Sequence, residues 1–241
     1  MSEKIEISKK TIVPADLEKT PSSNHIVNVV KAAISGIPII GCPISSLVND
    51  YIPNKKLKRL LDFTKQLSEN IERFKDEIDE EFVKTDEFAY LFEQTYKLVL
   101  ENYQKEKLDS LMALLVNSLR GRDLKSDTME YYLKKIATLS PLHLGMLRFL
   151  SFPVDCFAEI GIKPEDVKDY NFSRTLQAYF RDVPLDVLKG VFGDLHQMGF
   201  TNTDQIIFGA LTAGSGVGII SGRVSSLGKD FMKFCTLELE K

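Results

Sequence analysis

From Asn54 to Arg120 the chain has neither glycine nor proline, although its 241 residues include 14 Gly and 9 Pro. That absence excludes tight turns and helix breakers and predicts long helices. Cysteine is scarce too: Cys42, Cys156 and Cys235 are far apart and form no C-x-x-C pair. An odd, dispersed set argues against a disulfide framework or a zinc knuckle and fits a reducing compartment, so the expected location is cytoplasmic. Met1 to Lys19 lacks the apolar core of a secretory signal or an anchor. Charge excess is also missing. A formal net charge of -3 and a pI near 5.7 give no global attraction to nucleic acid or to anionic membranes, so such contacts need a local patch.

With 44% apolar and 27% charged residues, the composition is that of a soluble chain able to bury a core. Within the glycine-free span, Leu57, Leu60, Thr64, Leu67, Ile71, Phe74 and Ile78 recur at alternating spacings of three and four, the seam of a packed helix. Leu61 and Phe63 widen that stripe, which favours a neighbouring helix of a bundle over a second chain. One helix over the whole span would be about 100 Å long. Thr85-Asp86-Glu87 supplies a cap and first-turn acids for a restart near Lys84. The second helix carries Phe88, Leu91, Phe92, Tyr96 and Val99, then Leu108, Leu111, Met112, Leu115 and Leu119, and Gly121 closes it. A pause between Tyr103 and Lys107 stays open. The expected layout is a polar arm over 1–22, an interrupted apolar segment over 23–53, a long helical hairpin or bundle over 54–139 and a further module over 140–241.

The apolar segment reads Gly36-Ile-Pro-Ile and then Gly41-Cys-Pro-Ile, and residues 32–49 hold no charge. A spanning helix needs about 20 apolar residues. Three readings of Ile26 to Ile52 are open: a buried turn plugging the bundle, a membrane-docking element, or a spanning helix, with the prolines and glycines weighing against the last. Beside it stand Lys55, Lys56, Lys58 and Arg59. At the expected start of a helix they oppose its dipole, at about 0.3–1 kcal/mol each, so carboxylates of the fold, phosphates or lipid headgroups should offset them. Otherwise they form a solvated face. These four are the candidate anionic-surface contact.

Beyond a short helix over Asp127 to Thr138, Leu139-Ser140-Pro141 opens another with Ser as cap and Pro at the first position. A further helix runs from Pro184 to Gly199. Gln205 to Leu211 and Val217 to Val224 are rich in Ile, Val and Thr around Gly214-Ser215-Gly216, which predicts a β-hairpin. Ser225-Ser226 then caps a last helix bearing Leu227, Phe231, Met232 and Phe234. The expected fold class is therefore mainly α, a long helical hairpin with a C-terminal winged-helix-like α+β module. From Ser140 onward 10 Lys and Arg face 12 Asp and Glu, which speaks against DNA as the partner.

No reaction is named by any motif. Gly214-Ser-Gly216-Val-Gly218 lacks the Gly-Lys-Ser/Thr ending of a phosphate loop. His143, Cys156 and His196 match no nucleophile spacing, and Asp194 and His196 fall on different helical faces. Asp76, Glu77, Asp79, Glu80 and Glu81 have no histidine beside them to make a metal site. No catalytic, metal or cofactor residue is assigned.

The order of parts, an apolar N-terminal element, a long helical region, Leu139-Ser140-Pro141 at the head of a helix, and Ser226-Leu227-Gly228 with Phe231 near the end, resembles the abortive-infection alpha proteins of bacteria and phages. The resemblance covers Lys55 to Cys235 by architecture, with Ser225-Ser226 where an apolar residue and threonine are expected. It implies phage exclusion without a known catalytic centre and transfers no functional residue. A non-catalytic binding protein follows as the expectation, working through a protein partner, self-association or the inner face of a membrane. A membrane-perturbing helical effector and a winged-helix DNA-binding regulator are the alternatives.

Overall fold

The computed structural model describes residues 46–121, 126–209 and 216–237, all within one compact unit, Gly41–Lys241. The fold is mainly α. Among the described residues the helices are α1 Ser46–Arg73, α2 Glu80–Val83, α3 Asp86–Glu101, α4 Lys105–Leu119, α5 Ser126–Thr138 and α6 Pro141–Ser151, then α7 Pro153–Glu159, α8 Phe172–Tyr179, α9 Leu185–Gln197, α10 Val217–Ile220 and α11 Ser226–Cys235.

The axis of the fold is α4. Every residue from Ser110 to Leu119 is buried, as expected of a helix enclosed on all sides rather than amphipathic. It packs against α1, α3, α5, α6 and α11. The three polar residues of this stretch are satisfied internally: Ser110 Oγ and Ser118 Oγ donate to Glu106 O and Leu114 O, each at 2.8 Å, and Asn117 Nδ2 donates to carbonyls at the end of α11. The open question at Tyr103 resolves as a break, with residues 102–104 extended between α3 and α4.

On α1 the buried stripe is Leu60, Phe63, Thr64, Leu67 and Ile71, continued by Phe74 just past its end, whereas Leu57 and Leu61 are 37% and 53% exposed. The seam expected from the sequence thus begins one turn later, at Leu60. Thr64 belongs to it because its hydroxyl donates to Leu60 O at 2.8 Å and meets Tyr96 OH at 3.1 Å. Helix α1 ends at Arg73, earlier than the predicted break at Lys84. Asp79 Oδ1 accepts from Glu81 N and Phe82 N to cap α2, and Asp79 N donates to Leu119 O at 2.7 Å. Arg120 closes this corner, donating to Glu77 Oε2 and covering the Phe74 ring at 4.1 Å. Thr85 caps α3 as expected, accepting from Phe88 N at 3.2 Å.

The winged-helix expectation needs correcting. Among the described residues there is no β-hairpin: Gln205–Gly209 is a 3-10 turn, Val217–Ile220 is the short α10, and one antiparallel bridge joins Thr201 to Val224. Strand preference of Ile and Val reflects a fit to a half-buried pleated surface, and no sheet is present here to supply one. Asp204 Oδ1 instead accepts from Ile206 N and starts the turn, while Ile207, Ile219 and Ile220 are buried. Phe208 packs edge-on against Phe172 and Phe192 at 5.0 and 5.4 Å. The last helix starts as predicted, with Ser225 Oγ accepting from Gly228 N at 3.0 Å.

Candidate anionic-surface site

Helix α1 runs through Pro53, so Lys55 is its tenth residue rather than its second. A proline removes one hydrogen bond and crowds one carbonyl, but it does not oblige the helix to begin after it. The dipole argument for Lys55, Lys56, Lys58 and Arg59 falls with that shift, because the effect fades beyond the first turn. Their significance rests on placement instead.

The structure brings three of the four together. Lys55, Lys58 and Arg59 line a groove of about 450 Å³ between α1 and the start of α4, with Asp62, Gln66, Tyr103, Lys105 and Asp109. Lys55 and Lys58 are exposed; Arg59 is half-buried. Its Nη2 donates to Leu100 O at 2.9 Å, so the guanidinium also caps the end of α3, a favourable place for a cation. Arg59 Nε is buried without an acceptor. Tyr103 stands on the rim, 75% exposed. Partial desolvation raises the Asp109 carboxyl above its usual range, and with Asp62 it sets two carboxyls beside the cations of the groove. Lys56 is exposed but lies outside the groove lining. The expectation for Ile26 to Ser45 falls outside the described residues, and Ser46 to Ile52 opens α1. Among the described residues no helix is long and apolar enough to cross a membrane.

The groups weighed for catalysis are scattered. Cys156 is fully buried, and burial pushes its thiol up; its charged neighbour is Arg148, whose Nη1 donates to Sγ at 3.4 Å. Arg148 also forks onto both oxygens of Glu159, holding that carboxyl below its usual range. His196 Nδ1 faces Thr201 O at 3.3 Å, away from Cys156. One contact escaped sequence reasoning: Ser140 Oγ lies 2.6 Å from His143 Nδ1, and His143 Nε2 lies 3.2 Å from Asp194 Oδ2. With 51 positions between His143 and Asp194, no spacing could reveal it. In the neutral imidazole the carboxylate, which accepts only, places the proton on Nε2 and leaves Nδ1 to accept from the Ser140 hydroxyl.

The acidic run is likewise divided among separate tasks. Glu77 pairs with Arg120, Asp79 caps α2 and Glu81 pairs with Lys84 at 2.7 Å. Among the described residues no group of three or more His, Cys, Asp or Glu is placed to hold a metal ion.

No family model, no curated protein and no solved structure matches the chain.

Proposed function

We propose that the chain is a non-catalytic binding protein that docks the N-terminal part of α1 on an anionic membrane surface, peripherally and from the cytoplasmic side. One observation carries this reading. Leu57 and Leu61 are exposed on the same turns as the exposed Lys55, Lys56 and Lys58, and a helix surface that interleaves cations with apolar side chains suits the boundary between headgroups and acyl chains. Each Lys near such a surface contributes about 1 kcal/mol, lost as salt rises. Arg59 is excluded from that sum because its guanidinium is committed to Leu100 O. The resemblance to abortive-infection alpha proteins supports placing this binding in phage exclusion, which plating efficiency of phages on expressing bacteria tests.

Flotation of the full chain with vesicles tests the membrane reading. Phosphatidylserine vesicles should carry the protein at low salt and release it at high salt, and phosphatidylcholine vesicles should carry much less. The triple change of Lys55, Lys56 and Lys58 to Gln, which spares Arg59, should weaken binding by about 30-fold or more, Lys56 and Lys58 contributing roughly 1 kcal/mol each. Leu57→Ser with Leu61→Ser should weaken it also. Absence of flotation by the wild type, or equal flotation of all variants, sinks the proposal.

A further inference from the structure

A larger groove lies far along the chain from α1. It has a volume of about 910 Å³, and its walls are the end of α6, α7, the turn after α10, and α11. That size falls within the usual range of small-ligand sites, roughly 300–1,000 Å³. Leu150, Val224 and Met232, 1%, 3% and 4% exposed, close its base, and its accessible apolar surface comes from Phe152, Ala158 and Leu237. At the mouth Phe152 keeps 37% of its surface in solvent, where its ring could extend an apolar track.

The polar groups of this groove are not evenly spread. Lys229 and Lys233 both line it from α11, four residues apart and hence on one helical face. Both are exposed, and neither has an ion-pair partner among the described residues. On the facing wall Glu159 is taken up by the Arg148 fork, which among the described residues leaves Asp155 as the one unengaged carboxylate of the lining. The groove therefore sets accessible apolar surface beside two cations of α11.

We infer that this groove binds a single-chain anionic amphiphile, its tail along Phe152, Ala158 and Leu237 and its carboxylate head between Lys229 and Lys233. Apolar burial supplies most of the affinity, at about 25 cal/mol per Å² of tail removed from water. The head sets orientation and selectivity through charge-assisted hydrogen bonds. This inference does not depend on α1 or on membrane docking.

The experiment is calorimetric titration of the full chain with sodium decanoate, below its micelle concentration, and with decan-1-ol. Saturable one-to-one binding of decanoate is expected, with the alcohol at least about tenfold weaker, because one charge-assisted hydrogen bond is worth 1.5–3 kcal/mol. Lys229→Gln with Lys233→Gln should weaken decanoate about tenfold and leave the alcohol unchanged. Ala158→Phe, on the exposed part of the α7 wall, should abolish both by filling the groove. The triple Gln variant of α1 should bind decanoate normally even if it no longer floats, so the two proposals fail separately. No saturable heat from the wild type, equal affinity for acid and alcohol, or indifference to both groove variants overturns the inference. A wild-type dimer that Ala158→Phe dissociates overturns it too, by assigning the groove to a second copy.

Discussion

Asn117 Nδ2 donates to Phe234 O at 2.9 Å across 117 positions of sequence, and the same nitrogen reaches Lys233 O at 3.3 Å and Thr236 O at 3.1 Å. One buried amide of α4 thus collects carbonyls at the C-terminal end of α11, which have no partner within their own helix. Asn117 is itself 0% exposed, so substitution exposes the carbonyls to no water. Asn117→Leu is expected to cost about 2–3 kcal/mol, the penalty of unsatisfied buried polar groups. Asn117→Asp should cost more, since it sets a carboxylate against three carbonyl oxygens. The urea midpoint at neutral pH reads both, and an unchanged midpoint for either would show that the amide is dispensable.

Two glycines should respond with opposite signs. A Cβ on Gly228 would stand 2.3 Å from Phe200 O and 2.6 Å from Val224 Cγ1, because α11 crosses the 200–201 backbone at that point. Gly228→Ala should destabilise by about 2–3 kcal/mol, overpacking outweighing the gain of roughly 1 kcal/mol in helix propensity. At Gly190, exposed on α9, a Cβ meets nothing within 4 Å. Gly190→Ala should stabilise by about 0.5–1 kcal/mol. Thermal melts of the two variants would contradict this picture if they shifted in the same direction.

Alkaline pH should unfold the protein through the buried Tyr96 and Tyr132 and the half-buried Tyr179. Burial pushes Tyr96, Tyr132 and Tyr179 up to about 12, against 10 for a free phenol. Below pH 10 the folded and unfolded chains hold the same phenolic protons. Between about 10 and 12 only the unfolded chain releases them, so stability falls as pH rises. For Tyr96, 1% exposed, the full loss is about 3 kcal/mol. Lys107 works in the opposite sense: its buried amine donates to Ala137 O at 2.8 Å, and burial lowers its pKa. The folded state therefore disfavours the charged amine, and stability rises as pH climbs through the lowered pKa toward the free-lysine value. Urea midpoints measured as a function of pH should rise gently and then drop. Lys107→Met should flatten the rise, and Tyr96→Phe should reduce the drop.

Much of the helical layout was legible because its signals are local. Thr85, Ser140 and Ser225 each hold the cap their sequence promised, and Gly121 and Gly199 follow α4 and α9 with φ of 60° and 80°. The errors have a common source. Pro53, just before the glycine-free span, suggests a helix boundary and the Ile- and Val-rich segments suggest strands, although both depend on what packs alongside. The centrality of α4 is hidden because Leu108, Leu111, Met112, Leu115 and Leu119 read as an ordinary stripe, while the burial of Asn117 depends on the Phe234 carbonyl 117 positions away. The basic cluster was visible by composition. Its division into groove-lining Lys55, Lys58 and Arg59 and outlying Lys56 was not, since it depends on where α4 begins.

Both described cysteines should resist thiol reagents. Cys156 is 0% and Cys235 6% exposed, and burial raises both thiols, so thiolate is scarce and access closed. In a Cys42→Ser background, Ellman's reagent should react only as fast as the chain opens, with urea accelerating both sites together. Fast stoichiometric reaction of the native protein at Cys156 would mean that the Arg148 side of the thiol is open. Cys156→Ala should keep flotation intact, with a loss of about 1 kcal/mol in stability.

The Ser140–His143–Asp194 chain has the connectivity of a hydrolytic triad, and its behaviour is the sharpest test of the non-catalytic reading. Ser140 is the cap of α6, accepting from His143 N at 3.4 Å, while Asp194 reaches over from α9. The hydroxyl is thus held in a helix cap, and Pro141 leaves the first helical position without an amide hydrogen that could face an oxyanion. The grooves beside Lys55 and beside Lys229 are lined by other residues. Ser140→Ala is therefore expected to lower stability by about 1 kcal/mol as a lost cap. Asp194→Asn should cost less than about 1 kcal/mol, because the aspartate side chain is 55% exposed. Incubation of the wild type with a fluorophosphonate should leave its intact mass unchanged, and neither variant should alter vesicle flotation. Stoichiometric phosphonylation at Ser140, lost in Ser140→Ala and slowed in Asp194→Asn while the fold persists, would make this cap a nucleophile and overturn the non-catalytic assignment.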